Sequence, residues 1–153
     1  MEEQLDQVLL RVRETELAPG GCEESLRCMA AEAAAFLPPG VDAAVVLADA
    51  WERELAEPTY IGLGLAVPHA RVRGLSQPAL YMAYSHVGIP WPHEEAHFIA
   101  LLIVPWEAPE LHLQLLAHLV RWRKKLTEAE ACALAESADK LMVALEDAFG
   151  IHN

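Results

Sequence analysis

The run HFIALLIVP, at residues 97–105, constrains this chain more than any other stretch. Beyond its first histidine every residue is apolar, and Pro92 and Pro105 bound the segment. Successive side chains of a strand point to opposite faces, so a strand with one wet face alternates polar and apolar residues. This run has no wet face. It suits a strand covered on both sides, as in a sheet with helices packed on each face. The rest of the chain supplies the cover. Residues 23–36 are alanine-rich and helical in pattern, and PPG at 38–40 ends them. Residues 41–55 read as another helix, closed by Pro58. Residues 2–16 carry Leu5, Val8, Leu9 and Val12 at helical spacing, which predicts an N-terminal helix before the PGG break at 19–21.

TYIGLGLAVPH, at 59–69, reads as a strand approached through glycines, and ALYMAYSHVGI, at 79–89, as a second strand. Residues 109–126 predict a helix with Pro109 at its first position and cations at its end. TEAE at 127–130 has the form of a capping box. Two short helices finish the chain, the second starting near Ser137. Helices before, between and after strands imply one α/β domain over residues 1–153. The expected sheet is mixed and mainly parallel, with helices on both faces.

Composition excludes several classes. A hydrophobic fraction of 54% is ample for a core and too rich for disorder. No apolar run approaches the roughly 20 residues that cross a bilayer. The acidic, amphipathic start is unlike a secretory signal. Cys22, Cys28 and Cys132 are odd in number and form no C-x-x-C, so they read as reduced thiols of a cytoplasmic protein. The net charge of −12 speaks against nucleic acid. The basic cluster RWRKK, at 121–125, reads as the solvated last turn of a helix, where cations suit the dipole. An acidic surface favours a basic protein partner.

HEEAH, at 93–97, fits the H-E-x-x-H zinc pattern. That pattern works only on a helix, where both histidines fall on one face. Pro92 with Glu94 and Glu95 could open such a helix, so a zinc peptidase is a real alternative. If the segment is extended, the two backbones lie about 13 Å apart and cannot share one zinc. The plainer reading is a polar loop entering a buried strand, with both glutamates solvated.

Chemistry concentrates instead in WERELAEPTYIGLGLAVPHAR, at 51–71. Arg53 and Glu54 are followed by Pro58 and Thr59, then Gly62, then Ala66, Val67, Pro68 and His69. Later, H-L-Q-L-L at 112–116 opens a helix. This set resembles the IIA component of the bacterial phosphotransferase system, of the fructose/mannitol type, including nitrogen-regulatory relatives. The resemblance spans about residues 22–149. Ala70 stands where many relatives have glycine, and Gly-Leu-Gly-Leu before Ala66 departs from the more polar residues often found there.

The resemblance implies that His69 carries a phosphoryl group. It would accept that group from the histidine phosphocarrier protein and pass it to a IIB component for sugar uptake. The alternative is a regulatory module whose phosphorylation state controls a kinase, transporter or other target. No cofactor and no metal are implied at the transfer step. The residue chemistry agrees. A neutral imidazole is nucleophilic near pH 7, and covalent capture splits a transfer into two steps. Arg53, on the preceding helix, has a permanently charged fork suited to phosphoryl oxygens. His112, near a helix start, would donate a hydrogen bond to a phosphoryl oxygen on His69. Helix geometry puts it on the side of Leu116 and Leu119, with His118 about 120° away. His86 and His152 carry no signal. His69, Arg53 and His112 are expected to converge at one sheet edge.

Overall fold

The apolar run at 97–105 lies in an interior strand, as its missing polar alternation predicts. The computed structural model describes residues 7–151. In chain order its elements are β1 (Leu9–Val12), α1 (Cys22–Ala34), α2 (Ala43–Ala56), β2 (Leu65–Ala66) and β3 (His69–Val72). They continue with β4 (Ala79–Pro90), β5 (Glu95–Pro105), α3 (Leu111–Lys125), α4 (Glu128–Leu134) and α5 (Ala138–Phe149). The sheet runs β1-β4-β5-β2, and β3 also pairs with β5. The β4–β5 pair is antiparallel, while β1–β4, β2–β5 and β3–β5 are parallel.

Burial follows the period of two. Leu80, Met82, Phe98, Ala100 and Leu102 face one core with Leu115 and Leu119 of α3 and Leu141 and Leu145 of α5. Tyr81, Ala83, Ile99, Leu101 and Ile103 face the other, with Met29 of α1 and Val46 and Ala50 of α2. Both faces are therefore covered. The caps are local. Asp42 accepts from the Ala44 amide, Thr127 and Glu130 form the reciprocal capping box, and Ser137 caps α5. Pro109 is not the first helical residue; α3 begins at Leu111, with Glu110 at its N-cap.

Two expected elements differ. The N-terminal segment does not form the expected helix over Val8, Leu9 and Val12: Leu9–Val12 is a strand. Its backbone completes the free edge of β4, and Arg13 anchors it by donating to Glu32 and to the Thr15 and Glu16 carbonyls. A short helix stripe cannot outweigh a ready ladder of hydrogen bonds. Leu5 lies outside the described residues. The stretch 59–69 is also not one strand. Gly62, Leu63 and Gly64 take φ of 98°, 56° and 75°, which no strand accommodates. They turn the chain back on itself, Tyr60 bridges Ala66, and β2 is only two residues long.

Candidate functional site

The site begins where α2 ends. Pro58 stops the helix, and the last turn splits Arg53 from Glu54. Glu54 is buried, and its carboxylate accepts from the Thr59 amide at 2.7 Å, the Thr59 hydroxyl at 2.6 Å and Trp91 Nε1 at 3.0 Å. It is no surface charge. It anchors the chain leaving the helix and so sets where the turn at 60–66 starts.

Beyond the turn, β2 and β3 lie end to end along β5, with Val67 and Pro68 between them. The Pro68 carbonyl accepts from the Leu102 amide at 2.9 Å. His69 is therefore the first residue of β3 rather than the end of a longer strand. It stands at the sheet edge and is half-buried. Across from it, His112 sits in the first turn of α3. The two rings stack with centroids 4.6 Å apart and planes 10° from parallel. His112 Nδ1 lies 2.7 Å from the Pro109 carbonyl. A carbonyl only accepts, so Nδ1 carries the proton and Nε2 is the free nitrogen.

Arg53, Ile61, Val67, His69, Leu102 and His112 line one cleft of about 460 Å³. The structure thus gathers Arg53, His69 and His112 at one place. Arg53 Nε donates to Asp49 Oδ2 at 2.9 Å, and the same oxygen accepts the Arg71 amide at 2.8 Å. Asp49 therefore caps the outer edge of β3 just past His69 and steadies Arg53. Sequence reasoning missed it, although its i,i+4 spacing to Arg53 was a usable signal. The Asp49–Arg53 pair is partly exposed, so such a pair is worth under about 1 kcal/mol and leaves Arg53 free to reorient.

Burial pushes the His69 imidazole below its ordinary value, and His112 and Arg53 push the same way. A backbone hydrogen bond with Val67 and the charge of Asp49 oppose the shift. The ring is accordingly neutral at pH 7, with a nitrogen lone pair available for attack.

The other histidines are elsewhere. His118 stacks on Phe149 at 5.3 Å, and His86 pairs with Glu16. HEEAH forms no helix. Trp91 N donates to the Glu94 carbonyl to close a turn, and Glu95 already belongs to β5. His93 is exposed in the turn, while His97 Nδ1 lies 2.9 Å from the Ser85 carbonyl. The helix that H-E-x-x-H requires is absent. The basic cluster also needs correction. Arg121, Lys124 and Lys125 are exposed, but Trp122 and Arg123 are buried, because the last turn of α3 packs under the turn at 62–64 and against α4.

Among the described residues no helix is long and apolar enough to cross a membrane. Comparison with known proteins finds relatives in sequence and in fold. The chain is 35% identical over 89 residues to the fructose-specific EIIA component of Haloferax volcanii, covering 52% of this chain and 58% of that protein. It is 33% identical over 112 residues to the 2-O-alpha-mannosyl-D-glycerate-specific EIIABC component of Escherichia coli, covering 68% of this chain but only 17% of that protein. The Nitrogen regulatory protein of Pseudomonas aeruginosa is 27% identical over 142 residues, covering 90% of this chain and 91% of its own. In structure, the chain resembles the mannitol IIA of Escherichia coli with a TM-score of 0.68 at 19% identity, over 88% of this chain and 95% of that one. It resembles the nitrogen regulatory IIA of Neisseria meningitidis at 0.64 and 22% identity, over 92% and 94%. Residues 29–148 match the model of one family, and on that match the chain belongs to the EIIA 2 family of the phosphoenolpyruvate-dependent sugar phosphotransferase system.

Proposed function

We propose that this protein is a phosphocarrier whose reacting group is His69. The observation that carries the reading is the stack of His69 on His112 in a cleft shared with Arg53. A ring nitrogen of His69 attacks the phosphorus of the phosphorylated histidine carrier. A new N–P bond forms, the donor's N–P bond breaks, and that electron pair returns to the donor imidazole. In the second step a IIB cysteine thiolate attacks the same phosphorus, and the lone pair returns to His69. A fold relative, the mannitol enzyme IIA of Escherichia coli, has been solved in complex with phosphorylated enzyme IIB (TM-score 0.60, 14% identity). That supports the second step.

The supporting residues have distinct parts. Arg53 swings from Asp49 to pair two N–H groups with phosphoryl oxygens. His112 has its Nδ1 proton committed to Pro109, so Nε2 donates to a phosphoryl oxygen only when the ring carries a second proton. Catalysis here is positioning and charge stabilisation, as phosphoryl transfer generally requires.

The near full-length match to a nitrogen regulatory protein favours a second reading, in which the phosphoryl group on His69 is a signal. One experiment separates the two. Incubate the protein with phosphoenolpyruvate, enzyme I and the histidine carrier, and weigh it intact for one acid-labile phosphoryl group that His69→Ala does not acquire. Onward passage to a IIB cysteine then marks transport. Partners that bind only one phosphorylation state mark regulation. No labelling with active upstream proteins overturns both.

A further inference from the structure

The basic cluster at the end of α3 holds a residue that the phosphoryl site does not account for. Arg123 is only 5% exposed. A buried guanidinium is costly unless its donors are satisfied, and an aliphatic side chain would fill the space more cheaply. Its Nε donates to the Leu63 carbonyl at 2.8 Å, and its Nη2 pairs with Glu128 at 3.0 Å. Leu63 is the one non-glycine with positive φ among the described residues. It is half exposed, so burial of its own side chain does not offset that strain. The hydrogen bond from Arg123 is the one the Leu63 carbonyl receives from a side chain of another element.

The turn at 62–64 is the tip of a hairpin whose arms wall the cleft. Thr59 and Ile61 lie on one arm, Val67 and His69 beyond the other. Inside the tip, the Leu65 amide donates to Gly62 and the Gly64 amide to the Tyr60 hydroxyl. The Gly64 carbonyl accepts from His97 and Phe98. A single helix, α3, thus carries His112 in its first turn and Arg123 in its last, about 16 Å apart along the axis. One end touches the ring of His69. The other grips the tip of the hairpin that presents it.

We propose that Arg123 is a positioning residue: by holding the Leu63 carbonyl in its left-handed turn, it fixes the register of His69 against His112. The inference rests on His69 being the reacting group. Its test is chosen to succeed or fail separately from that reading.

The variants are Arg123→Met, Arg123→Lys, and Arg123→Met combined with Leu63→Asn, because asparagine adopts the left-handed conformation at little cost. Two quantities are read: the midpoint of the His69 ring titration by NMR in unphosphorylated protein, and the rate of phosphoryl loading at saturating carrier. In Arg123→Met the titration midpoint rises towards the ordinary histidine value and loading slows about tenfold. The carrier concentration for half-maximal rate stays within about twofold. Leu63→Asn in that background restores both. A merely structural arginine would lower the melting temperature without moving the midpoint, whatever asparagine at 63 does to stability. If Arg123→Met does not fold, Arg123→Lys is read the same way, since one ammonium cannot fork to both partners. A wild-type midpoint and rate in the folded variant, or no recovery with Leu63→Asn, overturns the inference. If the wild type itself is not loaded, the phosphocarrier reading fails, and the titration still decides the role of Arg123.

Discussion

Two histidine pairs in this molecule make opposite use of their spacing. His93 and His97 are four positions apart and look like partners in the sequence. In the fold one sits exposed in a turn and the other in a strand, bonded to the Ser85 carbonyl. His69 and His112 are far apart in sequence and on different elements, yet their rings stack at 4.6 Å. The helix period would have joined the first pair, but residues 95–97 extend β5, whose ladder to β4 is worth more than a short helix. The second pair meets because β3 and the start of α3 abut at one sheet edge. Close spacing brings side chains together only if the local conformation cooperates.

That contrast can be broken by substitution. His69→Ala is expected to abolish phosphoryl labelling, while His93→Ala labels as the wild type does; intact mass after acid-free work-up distinguishes them. Labelling of His69→Ala at the normal level would remove the basis of the site. Next in size is His112→Ala. It should fold normally and slow transfer by about 100-fold, a typical loss for one positioned proton-donating group. His118→Ala, on the same helix but stacked on Phe149, serves as its control in rapid-quench kinetics. Arg53→Lys should cost about 1.5 kcal/mol, roughly tenfold in rate, because an ammonium cannot supply paired donors. Equal rates for Arg53 and Lys would mean that only the charge matters.

Two smaller effects concern stability. Gly64→Ala is expected to destabilise the fold by about 1–2 kcal/mol, read from denaturant midpoints. Its φ of 75° is left-handed, and a Cβ would lie 3.1 Å from His97 Cδ2. This turn separates the cleft of His69 from the larger cavity of about 750 Å³ beside His93 and His97. The smallest effect is a pH dependence. Burial, His112 and Arg53 hold the native His69 below its ordinary value, whereas the unfolded chain titrates near 6.5. Below about 6.5 the unfolded state therefore binds a proton that the native state refuses. Stability should fall as pH drops from there through the lowered native value. His69→Gln should lose that part of the acid sensitivity, measured as melting temperature against pH, and His93→Gln should not. Identical curves for His69→Gln and the wild type would mean that the ring is not held neutral by its surroundings.

Much of this was written in the chain itself. The run at 97–105 announced a doubly covered strand, because apolar side chains on both faces have no other stable setting. Pro58 and the Thr127 capping box marked helix limits, because those signals act through their own backbone neighbours, whereas Pro109 stood two residues before the helix it was expected to open. The motif from Arg53 to His69 was legible through its resemblance to a family; the part that Glu54 plays in it, accepting from Thr59 and Trp91, was not. Other features depended on distant partners. The segment at 9–12 became a strand only because β4 offered a free edge. Asp49 gained its role when β3 brought the Arg71 amide to it. Arg123 left the solvent because α3 packs its last turn beneath a left-handed turn formed 60 residues earlier. Local sequence determines the conformations that a few neighbouring residues can enforce. Which of those surfaces meet, and so which histidine becomes a partner and which arginine is buried, is decided by long-range packing and hydrogen bonding that no local spacing encodes.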